Sequence, residues 1–276
     1  MKKINFQFVM LMILGLAVVL TSCRKDENPV EDTGASSDDA FAERIYDNVS
    51  NIGDEAYSVS SNNFKSVEIT RNYLNECVVI SLDSVSVPHA LIIDFGEENC
   101  LCNDGKYRRG IITVSFTGHF WHPGTVLTYE FDNYHVNDNK VEGTKVVTNM
   151  GFNDMGNMHY KFEVIGIIYL ANDGGTISWN SSMDAEWIEG IDTFILRDDV
   201  YLITGEADGI RANGHTWERE ILNPLRKEIG CRHFVSGTVE LRPQGVPVRL
   251  LDFGNGDCDN IATVLIDGVV YTIILR

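Results

Sequence analysis

Between Asp38 and Ser58 the apolar residues Phe41, Ile45, Val49, Ile52 and Ala56 recur at steps of four, four, three and four. That spacing is one face of an α-helix. Ser37 or Asp38 is placed to cap its start, and Gly53 weakens its last turn. An apolar helix face serves either to dock a partner or to lie against its own domain, and the second reading is adopted. After Phe64 the period changes to two, in short runs rich in Val, Ile, Thr, Tyr and Phe separated by Asn, Asp, Gly and Pro turns. The pattern predicts strands at Val67–Leu74, Val78–Leu82, Ala90–Phe95, Gly110–Thr117, Val126–Tyr134, Lys140–Thr148, Met158–Leu170, Gly175–Trp179 and Ala185–Ile188. It continues with Val200–Ala207, His215–Ile221, Phe234–Leu241, Val248–Phe253 and Ala262–Leu275, leaving Asn223–Lys227 as an irregular loop. Short turns such as Asn137–Asn139 favour antiparallel hairpins. Gly143, Gly166, Gly205 and Gly237 each close a Val/Ile-x-Gly unit inside or beside a strand, where glycine marks bulges and bends of a curved sheet. Their unequal spacing excludes a solenoid or propeller. The expected fold is all-β: an antiparallel curved sandwich or partly closed barrel over 64–276, with one short N-terminal helix.

The chain opens with Met1-Lys2-Lys3 and an apolar run from Phe8 to Leu20, too short for a bilayer that needs roughly 20 residues. Residues 1–22 read as a signal peptide. The run ends in Leu20-Thr21-Ser22-Cys23, which resembles the lipobox of bacterial lipoproteins; the resemblance implies a lipid on the Cys23 sulfur. Arg24-Lys25-Asp26-Glu27 is similar to the surface-export tract of Bacteroidota lipoproteins, and residues 23–37 have the composition of an acidic flexible tether. Taken with the β region, these features resemble Bacteroidota cell-envelope lipoproteins. The resemblance implies a chain held to the outer membrane by its lipid and exposed at the cell surface, with Arg24 in place of an inner-membrane retention aspartate.

Charge narrows the partners. The chain has 22 Lys and Arg against 40 Asp and Glu, and loss of residues 1–22 removes Lys2 and Lys3, leaving 20 against 40, a formal charge of −20. A field of that sign disfavours nucleic acid and anionic lipid surfaces. The 44% apolar content is ample for a packed core.

Two segments, LIIDFGEENC at 91–100 and RLLDFGNGDC at 249–258, share Asp-Phe-Gly with a cysteine four places after the glycine. Besides Cys23 the cysteines are Cys77, Cys100, Cys102, Cys231 and Cys258, and an exported chain folds where disulfides form. Each pair lies nearly symmetrically about a turn, Cys77 and Cys100 about Pro88/His89, Cys231 and Cys258 about Gln244/Gly245, so each bridge is expected to close its own hairpin. Cys102 can replace Cys100, and one thiol is left over. Ile111–Val114 answers Ile261–Val264 after the two segments, which suggests an internal duplication of 77–118 in 231–275.

The kinase reading of Asp-Phe-Gly fails for want of a phosphate loop, a strand lysine and a catalytic loop. Asp94 and Asp252 are expected to turn back onto nearby backbone amides. Asp252, Asp257 and Asp259 offer oxygen ligands without the spacing of a calcium loop, and His119 and His122 make a poor zinc pair, so neither metal nor cofactor is expected. Asp83-Ser84-Val85 is similar to an O-glycosylation triplet of exported Bacteroidota proteins. For sugar chemistry the best neighbourhoods are Asp184, Glu186 and Glu189 near Trp179 and Trp187, then Trp217 with Glu218 and Glu220. Trp179, Trp187 and Trp217 are thus the candidate ligand-binding residues, with a glycan or envelope protein as partner. The functional expectation is a lipid-anchored, non-enzymatic binding or structural module. Its alternatives are a carbohydrate-binding protein or glycoside hydrolase, which needs an exposed tryptophan row or two converging carboxylates, and a lipid or lipoprotein carrier half-barrel, which needs an open apolar cavity.

Overall fold

The computed structural model describes residues 34–61, 73–119, 122–193 and 196–275. The signal peptide, Cys23, the tether through Thr33, residues 67–72 of the expected Val67–Leu74 strand, and Phe120-Trp121 lie outside the described residues. Among the described residues one helix, α1 (Gly34–Ser61), precedes β1 (Val79–Asp83), β2 (His89–Asp94), β3 (Cys100–Leu101), β4 (Tyr107–Phe116), β5 (Val126–Val136), β6 (Asn139–Phe152) and β7 (Met158–Tyr169). The chain continues through β8 (Thr176–Glu189), β9 (Val200–Ile210), β10 (Thr216–Glu228), β11 (Ser236–Pro243), β12 (Arg249–Asn255), β13 (Ile261–Ile266) and β14 (Val269–Ile274). These strands form one antiparallel sheet in chain order from β1 to β14, with the short β3 alone off the path, paired to β4. The sheet is curved and open, with β1 and β14 as its edges. Of the two expected architectures the sandwich gives way to a single sheet, because each strand on the path pairs with its neighbours in chain order, β2 passing directly to β4.

Several boundaries differ from the pattern-based expectation. The helix starts at Gly34, so Ser37 and Asp38 lie within its first turns instead of capping it, and Gly53 sits in mid-helix. Strand β8 runs unbroken through Ser181–Asp184 where two strands were expected. Asn223–Lys227 is part of β10, absorbed by register shifts against both neighbours, which is how Pro224 is tolerated in an interior strand. Conversely the expected Ala262–Leu275 strand is the hairpin β13/β14, turned at Asp267-Gly268 with φ of 48° and 79°.

The core lies between α1 and the concave face. Val49, Ile52 and Ala56 of the predicted apolar face are fully buried, as is Tyr46, against Ile93, Ile112, Val141 and Ile168 of the sheet. The Tyr46 ring stacks on Trp179 at 5.6 Å and meets Phe131 edge-on at 6.1 Å, while its hydroxyl donates to the Glu142 carbonyl at 2.8 Å. Two facing glycines make room. Gly143, opposite Gly166, holds φ at 109°, where a Cβ would lie 2.0 Å from the Ile165 carbonyl oxygen. A Cβ on Gly166 would lie 2.2 Å from the Tyr46 hydroxyl.

Both expected bridges form, Cys77–Cys100 and Cys231–Cys258, with Cα atoms 6.1 and 5.6 Å apart, and Cys102 is the buried free thiol. The second lies just beyond the open end of the β11/β12 hairpin, as the symmetry argument requires: Leu241 faces Arg249, centring the turn on Gly245. The first reaches its partner differently. Val79 faces Asp94, which centres the β1/β2 turn between Ser86 and Val87, so Cys100 is not opposite Cys77; it is delivered by β3, where it faces Arg108.

The Gly166 notch yields a direct expectation: Gly166→Ala displaces the Tyr46 ring and lowers unfolding free energy by about 1–3 kcal/mol in urea titration. An unchanged midpoint would show that the ring has room to shift.

Candidate functional site

Strand alternation decides the fate of the predicted sugar site. Along β8, Ile177, Trp179, Ser181, Met183, Ala185 and Trp187 are buried, whereas Asp184 is exposed and Glu186 half-buried on the other face. In β10, Trp217 and Arg219 point inward and Glu218 and Glu220 outward. The three tryptophans are 3%, 5% and 1% exposed, so they belong to the core and offer no stacking row to a ligand. Trp179 donates to Asp39 at 2.9 Å, and Trp187 stacks on Tyr201 at 5.5 Å. The acids are occupied elsewhere: Glu186 accepts from Asn153 and Asn157, Glu189 pairs with Arg226, and Glu220 pairs with Arg242. Period-two geometry puts neighbouring Trp and Glu on opposite faces, and that separation overturns the reading.

The other candidates resolve as architecture. Asp94 and Asp252 each accept a hydrogen bond from the glycine amide two residues on, Gly96 and Gly254, both at 2.8 Å. The two Asp-Phe-Gly segments thus share one local hydrogen bond, made at the end of β2 and within β12. Asp259 likewise accepts from Ile261, and no metal-binding group of three or more His, Cys, Asp or Glu occurs among the described residues. His119 and His122 are exposed turn residues with rings 5.6 Å apart. Burial pushes the Cys102 thiol above its ordinary pKa, the opposite of what a thiolate nucleophile needs. Asp83 accepts from the amides of Val85 and Ser86, holding its triplet on an exposed hairpin turn.

What sequence reasoning did not anticipate is the polar chemistry between α1 and the cup. Asp38 pairs with Arg211 at 3.0 Å, Asp39 and Glu43 both hold Arg219 at 3.0 Å, and Lys145 donates to the Tyr46 carbonyl at 2.9 Å with Asp47 at 3.5 Å. Burial raises Asp39 to about 6 against the pull of Arg219, with Glu43 adding to the rise. Burial also holds Lys145 below the usual lysine range. The visible signal was the spacing of Asp39, Glu43 and Asp47, every fourth residue beside the apolar stripe.

A cavity of about 140 Å³ opens between the C-terminal half of α1 and β2, β4 and β5. Its wall is apolar, with Leu91, Val114, Phe116 and Leu127 at its sides, and Asp54, Tyr129 and His119 supply its polar groups. Asp54 keeps contact with solvent while protein surrounds it, and that enclosure raises its pKa from 3.8 to about 6, Lys145 pulling the other way. Its charge is felt by Tyr160, which burial chiefly holds at about 12. An apolar pocket beside a carboxyl with a displaced pKa can bind a small hydrophobic group and exchange one hydrogen bond or proton with it.

These features define a class: an open antiparallel sheet wrapped on one buried helix, with a small apolar pocket at the helix flank. No family model matches the chain, nor does any curated protein or solved structure.

Asp54 sets a pH dependence with a definite sign. Between about 4 and 6 the folded chain holds a proton that the unfolded chain has released, so stability falls as pH rises through that window. Asp54→Asn therefore melts above the parent at pH about 7.5, and the gap closes as pH falls from about 6 to about 4. Thermal melts across that range check it; a gap independent of pH would place the effect elsewhere.

Proposed function

We propose that the chain is a non-enzymatic binding module, tethered to the outer membrane of a bacterial envelope by a lipid on Cys23, and that its ligand inserts a small apolar group into the pocket beside Asp54. The signal peptide and Leu20-Thr21-Ser22-Cys23 support the anchoring. The pocket carries the binding reading. It combines an apolar wall with one titratable carboxyl, the combination expected of a recognition site. Its volume of about 140 Å³ lies below the 300–1,000 Å³ usual for drug-sized ligands, which points to a single ring or short branched chain. The carrier alternative needs an open apolar cavity, and the side chains of α1 fill the concave face where that cavity would lie.

Hydrolysis is not favoured, because the acids near the tryptophans face outward on the other side of the sheet from the pocket.

Two measurements test the two halves of this proposal. Cys23→Ser is expected to move the chain from the membrane fraction to the soluble fraction, and retention in the membrane would overturn the lipid anchor. Indole titrated into the full-length protein in non-ionic detergent is expected to bind saturably with Kd below about 1 mM. Leu127→Phe, which fills the pocket, is expected to abolish that binding; binding unaffected by the substitution would place the site elsewhere.

A further inference from the structure

The helix and the cup carry opposite charge almost everywhere they meet. Along α1 stand Asp38, Asp39, Glu43, Asp47, Asp54 and Glu55, and the concave face answers the first four with Arg211, Arg219 and Lys145. Arg44 is the one basic residue in the helix, and it breaks the pattern. It lines a second cavity, of about 190 Å³, on the other flank of α1, where the turn before β4 presents Lys106 and β4 presents Arg108. Base meets base there. Among the described residues no carboxylate lines this cavity. Asp104, two residues before Lys106, is already committed: both its oxygens take the Arg108 guanidinium at 2.7 Å, and Lys106 lies 3.5 Å away.

Three cations with one carboxylate leave a local excess of positive charge in a chain that is otherwise strongly acidic. Arg108 is fully buried and its Nε has no hydrogen-bond partner among the described residues. Arg44 is exposed and makes no ion pair or hydrogen bond among the described residues. Asn48, one turn along the helix from Arg44, is also a lining residue and also has no such bond. Burial, with the charges of Arg108 and Arg44 adding to it, keeps Lys106 below the ordinary lysine range. A bound anion would relieve this like-charge crowding, and the guanidinium of Arg44 is free to grip it in two-pronged fashion. Around the cations, Phe41, Ile45, Tyr134 and Val136 supply an apolar surface.

We infer that this cavity is a binding site for a small oxyanion, a phosphate or carboxylate carried on a ring or short apolar group, held by Arg44 and Lys106 with Asn48 beside them. Arg108 serves as fixed positive charge behind the site, because Asp104 already holds its terminal nitrogens. The inference does not rest on the Asp54 pocket, which lies on the opposite flank and has a different ligand chemistry.

Calorimetric titration of phenyl phosphate and, separately, of benzoate into the full-length protein in non-ionic detergent tests it. At least one is expected to bind saturably, and which one does so distinguishes phosphate from carboxylate as the recognised group. Arg44→Gln and Lys106→Gln are each expected to weaken that binding about tenfold, the loss of one charge-assisted contact. Arg44→Lys, which keeps the charge and loses the fork, is expected to fall between them and the parent. Arg44 is exposed and unpaired, so Arg44→Gln is expected to melt with the parent protein. No saturable binding of either compound up to about 10 mM, or binding that Arg44→Gln leaves unchanged, would overturn the site.

Discussion

An open sheet whose first and last strands do not meet has a concave face that the sheet itself cannot cover, and here α1 must bury it. Apolar contact alone would let the helix slide along the trough. The Tyr46 ring stops it: stacked on Trp179 and seated against Gly166, it has one place to go. Sliding by one turn would bring Ala42 or Ser50 to that notch, leaving it unfilled. The acids of α1 are less discriminating, since Asp39 and Glu43 are themselves one turn apart and both reach Arg219. Shape therefore fixes the register of the helix more tightly than charge does.

That division bears on how a chain with a formal charge of −18 can fold around buried cations. Arg108, Lys145, Arg219 and Arg249 are each 7% exposed or less, all on the side of the sheet that faces α1. Burying such groups without partners costs several kcal/mol per ion. The acids that offset Lys145 and Arg219 come from the helix, so the cup and α1 are each electrostatically incomplete alone. Outward-facing Glu163, Asp184, Glu218 and Glu220 remain in solvent, where their mutual repulsion is screened. The acidic composition is thus a property of the outer face more than of the interior.

The features written in local spacing were readable in the sequence. The apolar stripe of α1, the period-two strands and the Cys231–Cys258 pair follow from spacing visible along the chain, whereas Cys77–Cys100, though expected, is made by β3 and not by the hairpin symmetry. The errors came where a local signal was ambiguous or where pairing was decided elsewhere. Ser181-Ser182 looks like a break, yet Ser181 is carried through as part of a long strand. Asn223-Pro224 looks like a loop, yet two flanking strands hold it as a bulge. The tryptophan reading failed for a more general reason: adjacency in a strand is separation in space, so Trp187 beside Glu186 does not make a site. The cavities that Asp54 and Arg44 line left no local signal, because their surroundings are assembled from segments that lie 37 to 95 residues away in the chain.

A cylinder lying in a curved trough touches along its underside and leaves a gap at each flank, so two cavities are a consequence of this architecture. Their chemistry is set by which helix residues face each gap. Gly53, Asp54 and Tyr57 turn to one flank, and Phe41, Arg44, Ile45 and Asn48 to the other. The sheet contributes largely apolar walls to the first, and β4 with the turn before it contributes two cations to the second. Specificity in such a scaffold can change by substitution on the helix flanks while Tyr46, Gly166 and the buried ion pairs keep the fold.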